Sequence, residues 1–156
     1  MLYFISFWKV LMAQVVKSVL IDRSARQMFD LVDAVERYPE FLPWCGGTEV
    51  RVRDAQLTHA TIRIDYLHIK QSFTTRNLKQ SPHLIEMKLD EGPFRHLEGS
   101  WRFVELATDA CKVEFVLHYE FSSMLLEKVV GPVFHHIANN FIEAFVQRAE
   151  KVYGAS

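Results

Sequence analysis

The chain has 156 residues, of which 49% are apolar and 13% aromatic, and its 18 basic and 19 acidic side chains leave a formal net charge of −1. That length fits one domain of roughly 100–200 residues, and the charge balance excludes the chain-wide basic field of a DNA-binding protein. Cys45 and Cys111 lie far apart with no CxxC spacing, which speaks against a zinc site or a redox pair and leaves two reduced thiols or one disulfide.

The opening run MLYFISFWKVL is apolar but far short of the ~20 residues that span a bilayer. It lacks the basic start and small-residue cleavage site of a signal peptide, and the Arg and Ser of a transit peptide. Residues 1–12 therefore read either as a tail left by a start codon upstream of Met12 or as a short interfacial anchor carrying Phe4, Phe7 and Trp8. The domain proper is expected over 13–154.

Gln14 to Asp22 reads as a β-branched strand. Ser24 with Gln27 three positions on is a capping box that starts a short helix running to about Val35. The segment Tyr38-Pro39-Glu40-Phe41-Leu42-Pro43-Trp44-Cys45-Gly46-Gly47 follows, a compact turn or one-turn helix bracketed by prolines and glycines.

After Gly47 the period is two for about seventy residues, and faces can be assigned by parity. Val50 and Val52 oppose Arg51 and Arg53; Ile62, Ile64 and Tyr66 oppose Arg63 and Asp65. Ile69, Gln71, Phe73 and Thr75 oppose Lys70, Ser72 and Arg76, and Ile85, Met87 and Leu89 oppose Glu86, Lys88 and Asp90. Leu97, Gly99, Trp101 and Phe103 oppose His96, Glu98 and Arg102, while Cys111, Val113, Phe115, Leu117, Tyr119 and Phe121 oppose Lys112, Glu114, His118 and Glu120. One wet face and one buried face describe an antiparallel sheet. Gly99 among large residues predicts a bulge or bend.

From Phe134 the apolar period becomes helical, through Ile137, Phe141, Phe145 and Ala149 to Val152, and Gly131-Pro132 is expected to kink this helix or split off a leading turn from Met124. The order is an α+β layout: a seven-stranded curved antiparallel sheet around one long C-terminal helix, with two short helices after the first strand. A helix about 10 Å across cannot cover a sheet some 30 Å wide, so the remainder is plugged by large side chains or left as a cavity under the Pro-rich turn.

The stretches MFDLV (28–32), YPEFLPWC (38–45), FTTRN (73–77), GPF (92–94), GSWRF (99–103) and AFVQRA (144–149) resemble the coenzyme Q-binding, START-like family. Its bacterial members are also known as RatA-type ribosome association toxins and were formerly labelled oligoketide cyclases. The resemblance runs from about Val15 to Gly154, and the leading tail has no counterpart in the pattern. It implies a helix-grip fold that binds ubiquinone without turning it over, in support of respiration. For some bacterial members it implies binding of the large ribosomal subunit and a block of subunit association.

No GxSxG, HExxH or glycine-rich phosphate loop is present, and the adjacent His135 and His136 diverge by about 100° on a helix, so no catalytic or metal site is expected. The few inward polar groups, Tyr66, Gln71, Thr75 and Tyr119, suit orientation of a quinone oxygen rather than acid–base work. A non-enzymatic binding cavity is thus expected from these four with Phe41, Trp44, Phe73, Trp101, Phe115, Phe134, Ile137 and Phe141, each of which competes with a role in core packing. No cofactor is required; ubiquinone or another isoprenoid lipid is the expected ligand. On the outer face Arg51, Arg53, Arg63, Lys70 and Arg76 form either an ordinary solvated face or a basic stripe for anionic headgroups or ribosomal RNA. The expected location is cytoplasmic, or peripheral to the inner membrane of a bacterium.

Overall fold

The computed structural model describes residues 12–154. The reading of the leading segment as tail or anchor therefore lies outside the described residues. Seven strands, β1 (Ala13–Ile21), β2 (Cys45–Arg53), β3 (Leu57–Tyr66), β4 (Ile69–Gln80), β5 (Leu84–Glu91), β6 (Phe94–Ala107) and β7 (Ala110–Phe121), form one antiparallel sheet in the order β1-β7-β6-β5-β4-β3-β2. Helix α1 (Ala25–Asp33) and a 3-10 helix (Val35–Glu40) link β1 to β2, and α2 (Met124–Asn139) and α3 (Phe141–Tyr153) close the chain. This is the helix-grip arrangement.

The predicted capping box forms: the Ser24 hydroxyl accepts from the Gln27 amide at 3.1 Å and the Gln27 side chain accepts from the Ser24 amide at 2.9 Å. Parity also holds over most of the sheet. Ile85, Trp101, Phe103, Val113, Phe115 and Tyr119 are all buried on the inner face, each apolar side chain contributing about 1.5–3 kcal/mol by leaving water.

Three expectations need correction. First, a bulge between Val50 and Val52 reverses the parity at the end of β2, so Val52 pairs with His59 and Arg53 with Thr58. Val52 is consequently exposed, and Arg53 turns to the inner side, where it meets Asp33 and Glu36. Second, no bulge forms at Gly99: the register runs through it unbroken, from Met87 on one side to Leu117 on the other. The glycine is needed for close approach, since a Cβ there would lie 2.5 Å from the Val116 carbonyl oxygen.

Third, the C-terminal helix is continuous through Gly131-Pro132 and breaks at Asn140 instead. Asn139 and Asn140 donate their side-chain amides to the His135 and His136 carbonyls, both at 2.8 Å, adding to the Asn140 backbone N–H that caps the last turn of α2 on the His136 and Ile137 carbonyls.

The candidate binding cavity

The cavity lies between the inner face of the sheet and the helices. Val32 and Val35 reach it from α1 and the 3-10 helix, Tyr38 and Trp44 from the proline-bracketed turn, and Phe134, Ile137, Ala138 and Phe141 from α2 and the start of α3. The sheet supplies Ile62, Ile64, Phe73, Thr75, Asn77, Ile85, Met87, Leu97, Trp101, Phe115 and Leu117. Its void is about 60 Å³, well below the roughly 300–1,000 Å³ of a pocket that encloses a drug-sized ligand. Aromatic rings occupy the rest: Phe141 sits 5.8, 5.7 and 5.6 Å from Trp44, Trp101 and Phe115, and Trp101 packs on Phe115 at 4.6 Å. The helices leave part of the sheet uncovered, and rings plug most of the gap.

Polar groups on the wall are few. Thr75 Oγ1 donates to Asn77 Oδ1 at 2.9 Å. The Asn77 Nδ2 amide makes no side-chain hydrogen bond among the described residues. Tyr38 is tied down by donation to the Val32 carbonyl, and burial pushes its phenol far above its ordinary pKa. Asn77 Nδ2 is thus a donor on the wall that matches a ligand carrying an acceptor oxygen.

The structure brings Trp44, Phe73, Thr75, Trp101, Phe115, Phe134, Ile137 and Phe141 together on the cavity wall. It does not bring the other four candidates there. Phe41 packs on Phe145 at 5.2 Å and under the Arg148 guanidinium at 5.0 Å, because the 3-10 turn folds its ring back onto α3. Tyr119 is buried nearer the end of β7, and its hydroxyl is bonded to His135 Nδ1. Tyr66 closes β3 half-buried beyond the cavity, and Gln71 opens onto a separate basin at the sheet end. Sequence reading missed Asn77; its place two residues after Thr75 on the same face of β4 was the available signal.

Just beyond Asn77 a polar network ties α1 to the sheet. Asp33 accepts from Arg53 at 2.9 Å, Lys79 at 3.1 Å and Thr58 at 2.8 Å. Of the outer cations, Arg51, Arg63, Lys70 and Arg76 are exposed or project from the outer face, while Arg53 belongs to this network. Arg76 lies 4.0 Å from Asp90, which also holds His59 at 2.9 Å. Cys45 and Cys111 are free and buried, and burial pushes the Cys111 thiol up to about 11. Among the described residues no three His, Cys, Asp or Glu side chains cluster as a metal site, and no helix is long and apolar enough to cross a membrane.

Residues 21–146 match the family described as polyketide cyclase/dehydrase and lipid transport. The chain belongs to this family. It is 38% identical over 157 residues to ribosome association toxin RatA of Escherichia coli K12, covering 99% of both chains. That match takes in the leading residues, so the expectation that they have no counterpart gives way. The chain is 26% identical over 142 residues to the mitochondrial coenzyme Q-binding protein COQ10 homolog B of Xenopus laevis, covering 88% of this chain and 58% of that protein.

Two solved structures share the fold of this family member. The Zhui aromatase/cyclase from Streptomyces sp. R1128 superimposes with a TM-score of 0.79 at 14% identity, over 92% of this chain and 97% of that one. A START superfamily protein from Mycobacterium smegmatis does so with 0.70 at 21% identity, over 89% and 98%. At these identities they speak for the fold alone.

Proposed function

We propose that the chain binds a flat apolar ligand bearing acceptor oxygens, a ubiquinone-type isoprenoid quinone, between sheet and helices without turning it over. The observation that carries this reading is the pairing of an aromatic wall with the Asn77 Nδ2 donor, at a site lined by no carboxylate, histidine, lysine or arginine. The relative named as a coenzyme Q-binding protein is consistent with it. Because the void is about 60 Å³, a quinone ring enters only as wall side chains move; Phe141, one residue past the Asn140 break, is the ring best placed to swing.

The test is solvent extraction of the purified protein with mass spectrometry of the bound lipid, followed by reloading with a short-tailed ubiquinone. A quinone recovered near one per chain is expected. Protein that stays empty after reloading would sink the proposal.

A second reading has its own support: relatives near 40% identity carry the name ribosome association toxin, and Arg51, Arg63 and Lys70 face outward. On this reading the chain cosediments with large ribosomal subunits in a salt-dependent manner. Sedimentation with purified subunits decides it, and quinone loading and subunit binding can be scored on the same preparation.

A further inference from the structure

Leu67 and His68 make the two-residue turn between β3 and β4, both at positive φ, 50° and 67°. That conformation disfavours a leucine, and a turn of this hand ordinarily takes Asn-Gly. Leu67 nevertheless leaves its side chain 68% exposed. Neither turn geometry nor core packing accounts for an apolar residue held there.

The same end of the sheet carries more of this kind. The Ser122 amide donates to the Pro93 carbonyl at 2.9 Å and Phe94 stacks on Phe121 at 5.0 Å, which joins the β5–β6 turn to the start of α2. There the first two turns of α2 present Met124, Leu125 and Val129, 68%, 71% and 53% exposed, with Lys128 on the same outward side. Spacing at one and four residues puts them on one stripe. Met12, 38% exposed, enters at this end too, because Ala13 pairs with Tyr119.

Between the leucine turn and α2 the sheet is splayed. Strand β4 pairs with β5 only from Thr74 onward, so Lys70, Gln71 and Ser72 stand apart from Gly92-Pro93 across an open basin of about 560 Å³. Arg63 and Lys70 line it and make no ion pair with any described residue; Asp65 is the one acidic group on its wall.

The geometry points to this end of the sheet as a docking surface for an anionic lipid bilayer. The apolar prongs sit on two separate projections some three to four strand spacings apart, roughly 14–19 Å, rather than on one flat patch shaped for a protein. Cations lie behind them at the height of headgroups: Lys128 beside the α2 stripe, Arg63 and Lys70 behind Leu67. On a chain of net charge −1, only such a local arrangement can draw the protein to an anionic surface.

Flotation of the full chain with quinone-free vesicles reads docking separately from ligand binding. Vesicles of phosphatidylcholine with about a third phosphatidylglycerol should carry the protein at least tenfold better than phosphatidylcholine alone, with binding falling as salt rises. The variant Leu125→Asp/Val129→Asp and the variant Leu67→Asp, each with an unchanged melting temperature, should both lose most of that binding; Arg63→Glu/Lys70→Glu should lose its preference for anionic vesicles. Labelling Leu67→Cys or Leu125→Cys with an environment-sensitive dye should give a blue shift on vesicles, since the two native thiols are buried. Vesicle binding untouched by these substitutions, or lost only when residues 2–11 are deleted, overturns the proposal. So does loss of large-subunit sedimentation with vesicle binding intact.

Discussion

Arg53 donates to the Asp33 carboxylate at 2.9 Å, joining the last residue of β2 to the last residue of α1. The contact exists because the bulge at Val50/Val52 turned Arg53 inward, and Asp33 serves Lys79, whose side chain is 5% exposed, with the same oxygen. The two cations should not be equivalent. Asp33→Ala strands a buried ammonium and should cost about 3 kcal/mol of stability. Arg53→Met removes only the more exposed partner and should cost under about 1 kcal/mol. Urea unfolding of both variants measures the contrast, and equal losses would refute this division of roles.

Gly99→Ala should destabilise by about 1–3 kcal/mol, because the added carbon meets the Val116 carbonyl oxygen of the neighbouring strand rather than a side chain that can move. Chemical denaturation reports it. An unchanged midpoint would mean that the two strands separate at little cost.

Features of the fold differ in how much of them the sequence spells out. Inner and outer faces were legible wherever one residue faced one residue across the ladder, which is why Trp101, Phe115 and Thr75 were placed correctly. Arg51-Val52-Arg53 alternates without a flaw in sequence, yet one extra residue in the strand exchanges its two faces, and nothing in those side chains announces it. The helix break was misplaced for a related reason. Pro132 forfeits one hydrogen bond inside a helix that is otherwise well packed through Val130 and Phe134, whereas the paired asparagines 139 and 140 offer the backbone an alternative set of bonds. Alternation named the rings that face inward but not how tightly they close on one another, and the small void depends on that closure.

Stability should be flat toward mildly alkaline pH and then fall. The Tyr119 phenol is pushed up to about 12 by burial, against an ordinary value of 10.0. Below pH 10 both the folded and the unfolded chain hold the proton; between about 10 and 12 only the folded chain does, so the stabilisation is lost as pH rises through that window. Tyr119→Phe should make the decline shallower without abolishing it, since burial also raises Tyr38 and Tyr153. Unfolding free energies at pH 9, 10, 11 and 12 for both proteins test this, and identical slopes would exclude a contribution from Tyr119.

Asn77→Leu keeps the volume of the wall residue near that of the native side chain while removing the free Nδ2 donor. Affinity for a short-tailed ubiquinone should fall about tenfold, the worth of one hydrogen bond of about 1.4 kcal/mol. Affinity for a ring of similar size without oxygens should stay constant. A parallel loss for both ligands would mean that Asn77 shapes the cavity rather than orients what enters it.

Phe141 gives the sharpest test of how a site of about 60 Å³ admits a ring. It touches Trp44, Trp101, Phe115 and Phe145, with centroids 5.1–5.8 Å away, and it begins α3 directly after the Asn140 break. In the empty protein it therefore acts as core, and Phe141→Ala should lower stability by about 3 kcal/mol. If the same ring is what a ligand displaces, its truncation leaves the displacement already made. The variant should take up short-tailed ubiquinone faster than the native chain and recover part of its lost melting temperature when ligand is present. Stopped-flow quenching of tryptophan fluorescence, with Trp44 and Trp101 both on the wall, follows the uptake. Slower uptake, or a ligand that stabilises the variant less than the native protein, would place the entry route elsewhere along the wall.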